Sequence, residues 1–287
     1  MKCNITQTTL GELSVGRRGY YGLGAPAVPY SPSLYTYLRI TDINDDGTLN
    51  MSDLKSVSAD NASDYLLKIN DIVFARTGAS TGRNYFYDGT DGDFVFAGFL
   101  IKFSLDPSKV NPRYVKYYCQ SKEYRDWIAA FNTGSTRGNI NTKTLASMPI
   151  RLPDMETQHR IVNILDALEN KRKNNKQIND NLQQQAFALF EQLLLTADDG
   201  ECSVADIAHL NPKRALAKNQ EAKCIEMSQL STSGAFPSGW EKRPFNGGMR
   251  FSNGDTLLAR ITPCLENGKA AFIDFLDTSE VAFGSTE

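Results

Sequence analysis

The spacing of apolar positions changes along the chain, and it predicts strands before it predicts helices. The runs DIVFAR (71–76) and DTLLAR (255–260) are short, rich in β-favouring residues and follow an Asn-Asp or Gly-Asp turn, so each is predicted to be a strand. A longer apolar run, 92–105, predicts a buried strand that closes the same sheet. Residues 111–131 carry apolar side chains at helical spacing behind Asn111, which can cap a helix. This first part of the chain is expected to be α+β.

A segment of another kind follows, in which apolar residues recur at three- and four-residue steps over residues 155–195. We expect Asp154 to be its N-cap and Glu156 to lie at the positive end of the helix dipole. These apolar residues form a seam along one side of the predicted helix, and a polar stretch, 171–177, interrupts the seam. A helix of this length would span about 60 Å. One such helix cannot bury its seam alone, so the seam is expected to pair with another helix at coiled-coil spacing. Its predicted contact residues are Ile161, Leu165, Leu168, Leu182, Leu189 and Leu193.

Three segments of the chain recur in the same order further along. YLRITDINDDGTL (37–49) is echoed by CIEMSQLSTSGAF (224–236), INDIVFARTG (69–78) by SNGDTLLARIT (252–262), and FVFAG (94–98) by EVAFG (280–284). Order, spacing and chemistry persist together, which predicts two diverged copies of one strand-rich domain. The expected fold is α+β, with a first domain at 1–152, a long spacer helix at 153–197 and a partial second copy at 198–287.

The charge balance bears on one class of function, the proteins that hold nucleic acid with a wholly basic surface. Lys and Arg number 31 against 33 Asp and Glu, which gives a net charge of -2. Neutralising many phosphates requires an excess of cations, so this balance argues against binding by bulk charge. A nucleic-acid-binding role would need local basic loops, or a partner that supplies most backbone contacts.

Other composition signals narrow the class of protein further. No apolar run approaches the roughly 18 residues that span a bilayer, and the N-terminus lacks the apolar core of a signal peptide. The five cysteines form no C-x-x-C pair and are expected to be reduced thiols in the cytoplasm. His159 and His209 are too few for a zinc site, so no metal is expected. No nucleophile can be matched with a base, so no catalytic residue is expected.

Four motifs together carry a family resemblance. They are YLRITDI, ARTGASTG (75–82), TGSTRGNINTKTLASMPIRLP (133–153) and PDMETQHRIVNILDAL (153–168). As a set they resemble the specificity subunits of type I restriction-modification systems, in which a long spacer helix separates two target-recognition domains. The resemblance covers most of residues 1–195.

The resemblance implies a subunit that reads DNA and catalyses nothing itself. Each domain would read one half of a bipartite double-stranded site, and the helices would fix the gap and dock two methyltransferase subunits. Those partners would bind S-adenosylmethionine and flip the target adenine, and a restriction subunit can join them. This chain shows neither a glycine-rich cofactor loop nor an Asn/Asp-Pro-Pro-aromatic methylation motif.

In one respect the sequence departs from the family pattern, because the second copy stops at Glu287. Counterparts of the closing strand, of the TGSTRGNIN loop and of the second spacer helix are missing. We therefore expect an incomplete second domain, in either a fragment or a natural short form. The alternative function is an interaction protein that dimerises through its helix, or a recombination cassette product that does not read DNA independently.

Four loops offer donors and acceptors suited to base edges or phosphates. Each could instead be a solvated surface loop or an Asx-rich turn. Arg76 has two open interpretations, since Arg260 repeats it: a DNA contact, or a structural arginine held by a carboxylate such as Asp71. The basic run 171–176 is expected to be a solvated helix face, unless it meets the methyltransferase partner. The predicted DNA contacts are Arg17, Arg18, Tyr20, Tyr21, Arg76, Thr77, Arg83, Thr136, Arg137, Asn139, Asn141 and Lys143.

Overall fold

The computed structural model describes residues 5–131, 139–196, 200–232 and 234–287. By their contacts the residues divide into a first unit, Met1–Glu191, and a second unit, Gln192–Glu287. Both contain several short strands, and the long helix belongs almost entirely to the first unit. Of the helices within these described ranges, none combines the length and apolar character needed to cross a bilayer.

The first unit is built from ten short strands and four helices in its described part. The strands are β1 (Thr6–Thr9), β2 (Tyr20–Tyr21), β3 (Val28–Pro29), β4 (Tyr35–Leu38), β5 (Lys55–Val57), β6 (Asp71–Ala75), β7 (Asn84–Tyr87), β8 (Phe94–Phe96), β9 (Leu100–Ser104) and β10 (Pro149–Leu152). The helices are α1 (Pro112–Tyr118), α2 (Lys122–Ala129), α3 (Thr142–Ala146) and α4 (Met155–Thr196).

Two four-stranded sheets form the body of this unit, in the orders β2-β9-β6-β7 and β3-β5-β4-β8. Strand β6 is buried at every position, as expected for a central strand with partners on both sides. Its inner residues, among them Phe74, pack with the helices α1 and α2 in the largest core cluster. The prediction of a strand at 71–76 is confirmed.

The apolar run 92–105, predicted to be one closing strand, is instead two. Strand β8 ends at Phe96, and β9 begins at Leu100 in the other sheet. The intervening residues turn, and the Leu100 N–H donates to the Ala97 carbonyl at 2.8 Å. The apolar residues on both sides of the turn concealed the break, because most positions of both strands are buried.

The helical spacing over 111–131 also proved to be two elements. The predicted cap is confirmed, since the Asn111 side chain accepts from the Arg113 N–H. Helix α1 ends at Tyr118, and Ser121 caps α2 by accepting from the Tyr124 N–H at 3.2 Å. A serine that caps a new helix here satisfies orphan N–H groups and makes the break favourable.

Helix α4 begins at Met155 and runs for 42 residues, about 63 Å at 1.5 Å per residue. The predicted N-cap is confirmed, because an oxygen of Asp154 accepts from the Thr157 N–H at 2.8 Å. The polar stretch 171–177 does not interrupt the helix, which is continuous through it.

The second unit repeats part of the first. Its elements are α5 (Val204–Ile207), β11 (Glu221–Ile225), β12 (Glu241–Pro244), β13 (Met249–Phe251), β14 (Thr256–Leu258), β15 (Ala270–Phe272) and β16 (Ala282–Gly284). Strand β11 lies between antiparallel β12 and parallel β16, as β4 lies between antiparallel β5 and parallel β8. Strand β14 pairs with β15 as β6 pairs with β7. The two copies of the internal repeat predicted from the sequence therefore share these strand pairings.

Candidate nucleic-acid interface

The glycine-rich loop before β2 presents two of the predicted arginines. A short turn at Val15–Arg17 holds Gly16 and Arg17 at positive φ, 70° and 54°. The Arg18 Nε donates to the Tyr20 hydroxyl at 3.0 Å, and its guanidinium lies 5.0 Å from the centre of that ring. Tyr20 and Tyr21 are 40% and 44% exposed. Exposed rings next to guanidinium groups suit both stacking and phosphate contact.

Gly22 directly follows β2, and here the chain passes close to the end of β8. A Cβ at this position would collide with the carbonyl oxygens of Phe96 and Ala97. The Leu23 N–H donates to the Phe96 carbonyl at 2.9 Å, which anchors the loop where it leaves β2. The loop is thus held by backbone contacts while its arginines and tyrosines remain at the surface.

Arg76 lies at the end of β6, and its main chain is held on both sides. Its N–H donates to the Phe99 carbonyl at 3.1 Å, and its carbonyl accepts from the Ile140 N–H at 2.9 Å. The guanidinium lies 5.0 Å from the centre of the Tyr21 ring. Thr77, the next residue, forms a β-bridge with Asn139. The predicted loops that carry Tyr21, Arg76 and Asn139 therefore meet around Arg76.

Asp71, the carboxylate that could have held Arg76 as a structural arginine, does not pair with it. Asp71 instead pairs with Lys102 Nζ at 3.1 Å, and it also accepts from the Ser104 hydroxyl and the Lys68 N–H. Within the described residues, Arg76 Nε is buried and has no hydrogen-bond partner. Asp71 therefore does not hold Arg76 in the scaffold.

Arg83 has a protein acceptor that the sequence did not reveal. Its Nε donates to Asp45 at 2.7 Å, and Nη1 donates to the Ile43 carbonyl at 3.2 Å. Asp45 is 85% exposed, so solvent screens this ion pair and a phosphate can compete with it. The neighbouring acids are also engaged: Asp42 with Arg39, and Asp46 with Thr48.

The last predicted loop, which leads into α3, contains one helix-capping residue and two exposed candidate contacts. Asn141 caps α3, since its side chain accepts from the Thr144 N–H at 2.9 Å. Asn139 and Lys143 are exposed. The predicted contacts Thr136 and Arg137 lie outside the described residues.

The start of α4 is anchored to α1 by a cluster of charged and phenolic groups that sequence reasoning missed. Arg113 pairs with Asp166 at 3.2 Å, and Lys116 pairs with Glu169 at 2.6 Å. The Tyr117 hydroxyl lies within hydrogen-bond distance of both carboxylates. The complementary i, i+3 spacing of the two cations and the two acids was the signal available in the sequence.

Hydrogen bonds decide the ionisation of Glu169 within this cluster. Burial opposes its ionisation, but donors from Lys116 and Tyr117 outweigh burial and hold the pKa of Glu169 below its ordinary 4.5. Burial also raises the pKa of Tyr117 far above its ordinary value, and the two carboxylates add to the shift. The cluster is thus a phenol and two cations that stabilise two carboxylates.

The apolar seam of α4 differs along its length. Ile161 and Leu165 are half-buried, near the anchored end of the helix. Further along, Leu168, Leu182, Leu189 and Leu193 are 60%, 57%, 57% and 58% exposed. An apolar stripe this exposed is typical of a surface that another helix covers.

Comparison with known proteins shows what the chain is similar to. The family model described as type I restriction modification DNA specificity domain matches residues 30–184. The chain is 28% identical over 135 residues to the HindI specificity subunit of a type I restriction enzyme from Haemophilus influenzae, covering 46% of this chain and 29% of that protein. It is 38% identical over 86 residues to the EcoAI specificity subunit from Escherichia coli, covering 28% and 14%. The chain thus aligns with less than a third of either relative.

Two solved structures also match this chain at low sequence identity. The HsdS subunit from Thermoanaerobacter tengcongensis is 13% identical with a TM-score of 0.44, covering 98% of this chain and 73% of that one. The S subunit from M. genitalium is 17% identical with a TM-score of 0.47, covering 98% and 72%.

Proposed function

Because the chain belongs to the family of type I restriction-modification DNA specificity domains, we propose that it is a specificity subunit that reads double-stranded DNA and has no catalytic role of its own. One observation carries the proposal: the family match extends over residues 30–184, from the strand-rich body of the first unit into α4. The first unit reads one half of a bipartite site. The DNA that it would read lies in the cytoplasm, which is the proposed location.

The proposed DNA-contacting surface is made by the loops around β2 and the end of β6. The exposed pair Arg18–Tyr20 and the stacked pair Arg76–Tyr21 support this assignment, since both combine a cation with an aromatic face. A protein of net charge -2 needs such a local concentration of donors. The proposed contact residues are Arg17, Arg18, Tyr20, Tyr21, Arg76, Thr77, Arg83, Asn139, Asn141 and Lys143, together with Thr136 and Arg137 outside the described residues.

The proposed partners are type I methyltransferase subunits that dock on α4 and carry S-adenosylmethionine, and a restriction subunit where one is encoded. Local base contacts supply specificity, and the partners supply the remaining backbone contacts. The α1–α4 cluster supports this division, because it anchors the helix to the unit that reads DNA.

Adenine methylation across the host genome tests this function. We expect deletion of the gene to abolish methylation at one bipartite motif and plasmid-borne wild type to restore it. Complementation by Arg18→Ala should relax recognition in one half of that motif only. An identical methylome with and without the gene would reject the proposed function, and equal relaxation of both halves would reject the assignment of the first unit to one half-site.

We also propose that two copies of the chain pair through the exposed seam of α4 in antiparallel fashion. The exposure of Leu182 and Leu189 supports this, because stable helices seldom leave such a stripe in water. Sedimentation of wild type should give a dimer at tens of micromolar. The double variant Leu182→Gln, Leu189→Gln should be a monomer, whereas Gln183→Ala should not change the mass. A monomeric wild type would contradict the pairing alone.

A further inference from the structure

Arg76 differs from the other arginines of the first unit in how its donors are used. Most of those with partners donate to an oxygen of the protein, as Arg39 does to Asp42 and Arg151 does to Glu123. The guanidinium of Arg76 instead faces an aromatic ring, and its Nε is buried with no acceptor among the described residues. The described residues thus engage this guanidinium through the Tyr21 ring and not through a carboxylate.

The surroundings of Arg76 suit an anion. A guanidinium 5.0 Å from the centre of a ring is positioned by that ring, and its charge and its Nη donors suit the oxygens of a phosphate. Tyr21, which carries the stack, is 44% exposed, so a ligand can approach from solvent. Asp71, the acid that could have neutralised Arg76, is committed to Lys102.

The second unit places Arg260 at the same position relative to its own strand. Asp71 and Asp255 both accept from the N–H three residues earlier, at 2.8 Å in each unit. The Arg260 N–H donates to the Glu287 carbonyl at 2.8 Å, as the Arg76 N–H donates to Phe99. Arg260 is exposed, and no ion pair or aromatic ring engages its side chain within the described residues.

The shared arginine is therefore not maintained by a shared salt bridge. The cation beside Asp71 is Lys102 from β9, whereas the cation beside Asp255 is Arg214 from another part of the chain. The two units repeat an arginine whose charge the protein leaves available. Two modules that read different bases have the phosphate backbone in common, and contacts to it carry no sequence information.

We propose that Arg76 and Arg260 are equivalent phosphate contacts, one in each unit, which bind the DNA backbone irrespective of sequence. The loops that differ between the units then carry base recognition. This inference rests on the proposed function and assigns one class of contact within it. It separates Arg76 from the other predicted contacts of the first unit.

Salt-dependent binding of the full chain to short fluorescein-labelled duplexes tests the inference. Three duplexes serve as probes: one of mixed sequence, one of A·T pairs and one of G·C pairs. Arg76→Ala and Arg260→Ala should each weaken binding by the same factor on all three. Each should also lower the slope of log K against log salt concentration by about 0.9, the value of one phosphate contact. Arg76→Lys should keep most of the slope because it keeps the charge.

Arg151→Ala is the matched control, since it removes the same charge from a guanidinium already paired with Glu123. It should leave the slope unchanged, and circular dichroism should show every variant folded. A slope unchanged in Arg76→Ala, or a loss confined to the G·C duplex, would overturn the phosphate assignment while leaving DNA recognition intact. If Arg76→Ala does not fold, Arg260→Ala decides. A wild-type chain that binds none of the duplexes would contradict the proposed function itself.

Discussion

The two strand-rich units use the same turn before β6 and before β14 but bury these strands to different extents. Asp71 and Asp255 close the turn with the same hydrogen bond to a main-chain N–H. Strand β6 then lies between β7 and β9 and is buried throughout, whereas β14 has β15 as its strand partner in the described residues and exposes Leu258. The comparison separates two causes: local sequence sets the turn, and neighbouring strands set the burial.

The largest expected difference between the units is the response of β6 and β14 to loss of one side chain. Phe74 and Leu258 occupy equivalent positions, but Phe74 is 0% exposed and Leu258 is 68% exposed. Phe74→Ala should lower the free energy of unfolding of the first unit by about 4 kcal/mol, through lost burial and the cavity left behind. Leu258→Ala should change that of the second unit by less than about 0.5 kcal/mol.

Each unit carries one tryptophan, Trp127 or Trp240, so urea unfolding can be followed for one unit at a time. Trp240→Phe leaves Trp127 to report the first unit, and Trp127→Phe leaves Trp240 to report the second. Comparable losses for Phe74→Ala and Leu258→Ala would contradict the difference in burial.

The next largest effect on the free energy of unfolding is expected from replacing the aspartate of the turn, Asp71 or Asp255. Asp71 is 2% exposed and its partner Lys102 14%, so Asp71→Ala leaves an almost buried ammonium unpaired and should cost about 3 kcal/mol. Asp255 and Arg214 are 22% and 27% exposed, so water can replace the lost acid and Asp255→Ala should cost about 1 kcal/mol. The same two tryptophan reporters measure both. Asp71→Asn is the control, because its amide oxygen can still accept from Lys68 while its charge is lost; a cost much smaller than that of Asp71→Ala would point to the turn rather than the charge.

Features set by neighbouring residues could be predicted from the sequence. Asn111 and Asp154 were identified as caps because the capping residue and the N–H it accepts from are two or three positions apart. The strand at β6 and the length of α4 followed from apolar spacing alone. The repeat was visible because its turns use short motifs.

Features set by distant pairing could not be predicted. Lys102 reaches Asp71 because β9 pairs with β6 in a register that sets Lys102 opposite Val73, two positions away on the same face. The acid Asp45 reaches Arg83 across a separation of 38 residues. The candidate DNA contacts could therefore be chosen by residue type. Whether an arginine already donates to an acceptor within the protein, as Arg83 does, depended on the fold.

A smaller effect concerns the anchoring of α4, for which the described second unit has no counterpart. The depressed pKa of Glu169 means that its stabilising contribution is present above its ordinary 4.5 and is lost as the pH falls through the lower folded value. Glu169→Gln should cost the first unit about 1 kcal/mol at neutral pH, because Lys116 loses its partner. The cost should shrink as the solution is acidified below about pH 4. Urea unfolding of both proteins across that range, with Trp127 as reporter, measures it; a cost independent of pH would contradict the linkage.

The smallest expected effect tests whether the shared turn is truly equivalent in the two units. Asn70 and Gly254 precede the turn acids with φ of 73° and 86°, a region that glycine and asparagine tolerate and other residues disfavour. A Cβ at Gly254 would meet nothing within 4 Å, so only backbone conformation opposes a side chain there. Asn70→Gly and Gly254→Asn should each change stability by less than about 0.5 kcal/mol, whereas alanine at either position should cost about 1 kcal/mol. If alanine were costly at position 70 but neutral at 254, the two turns would share a hydrogen bond but not the backbone strain that makes them one motif.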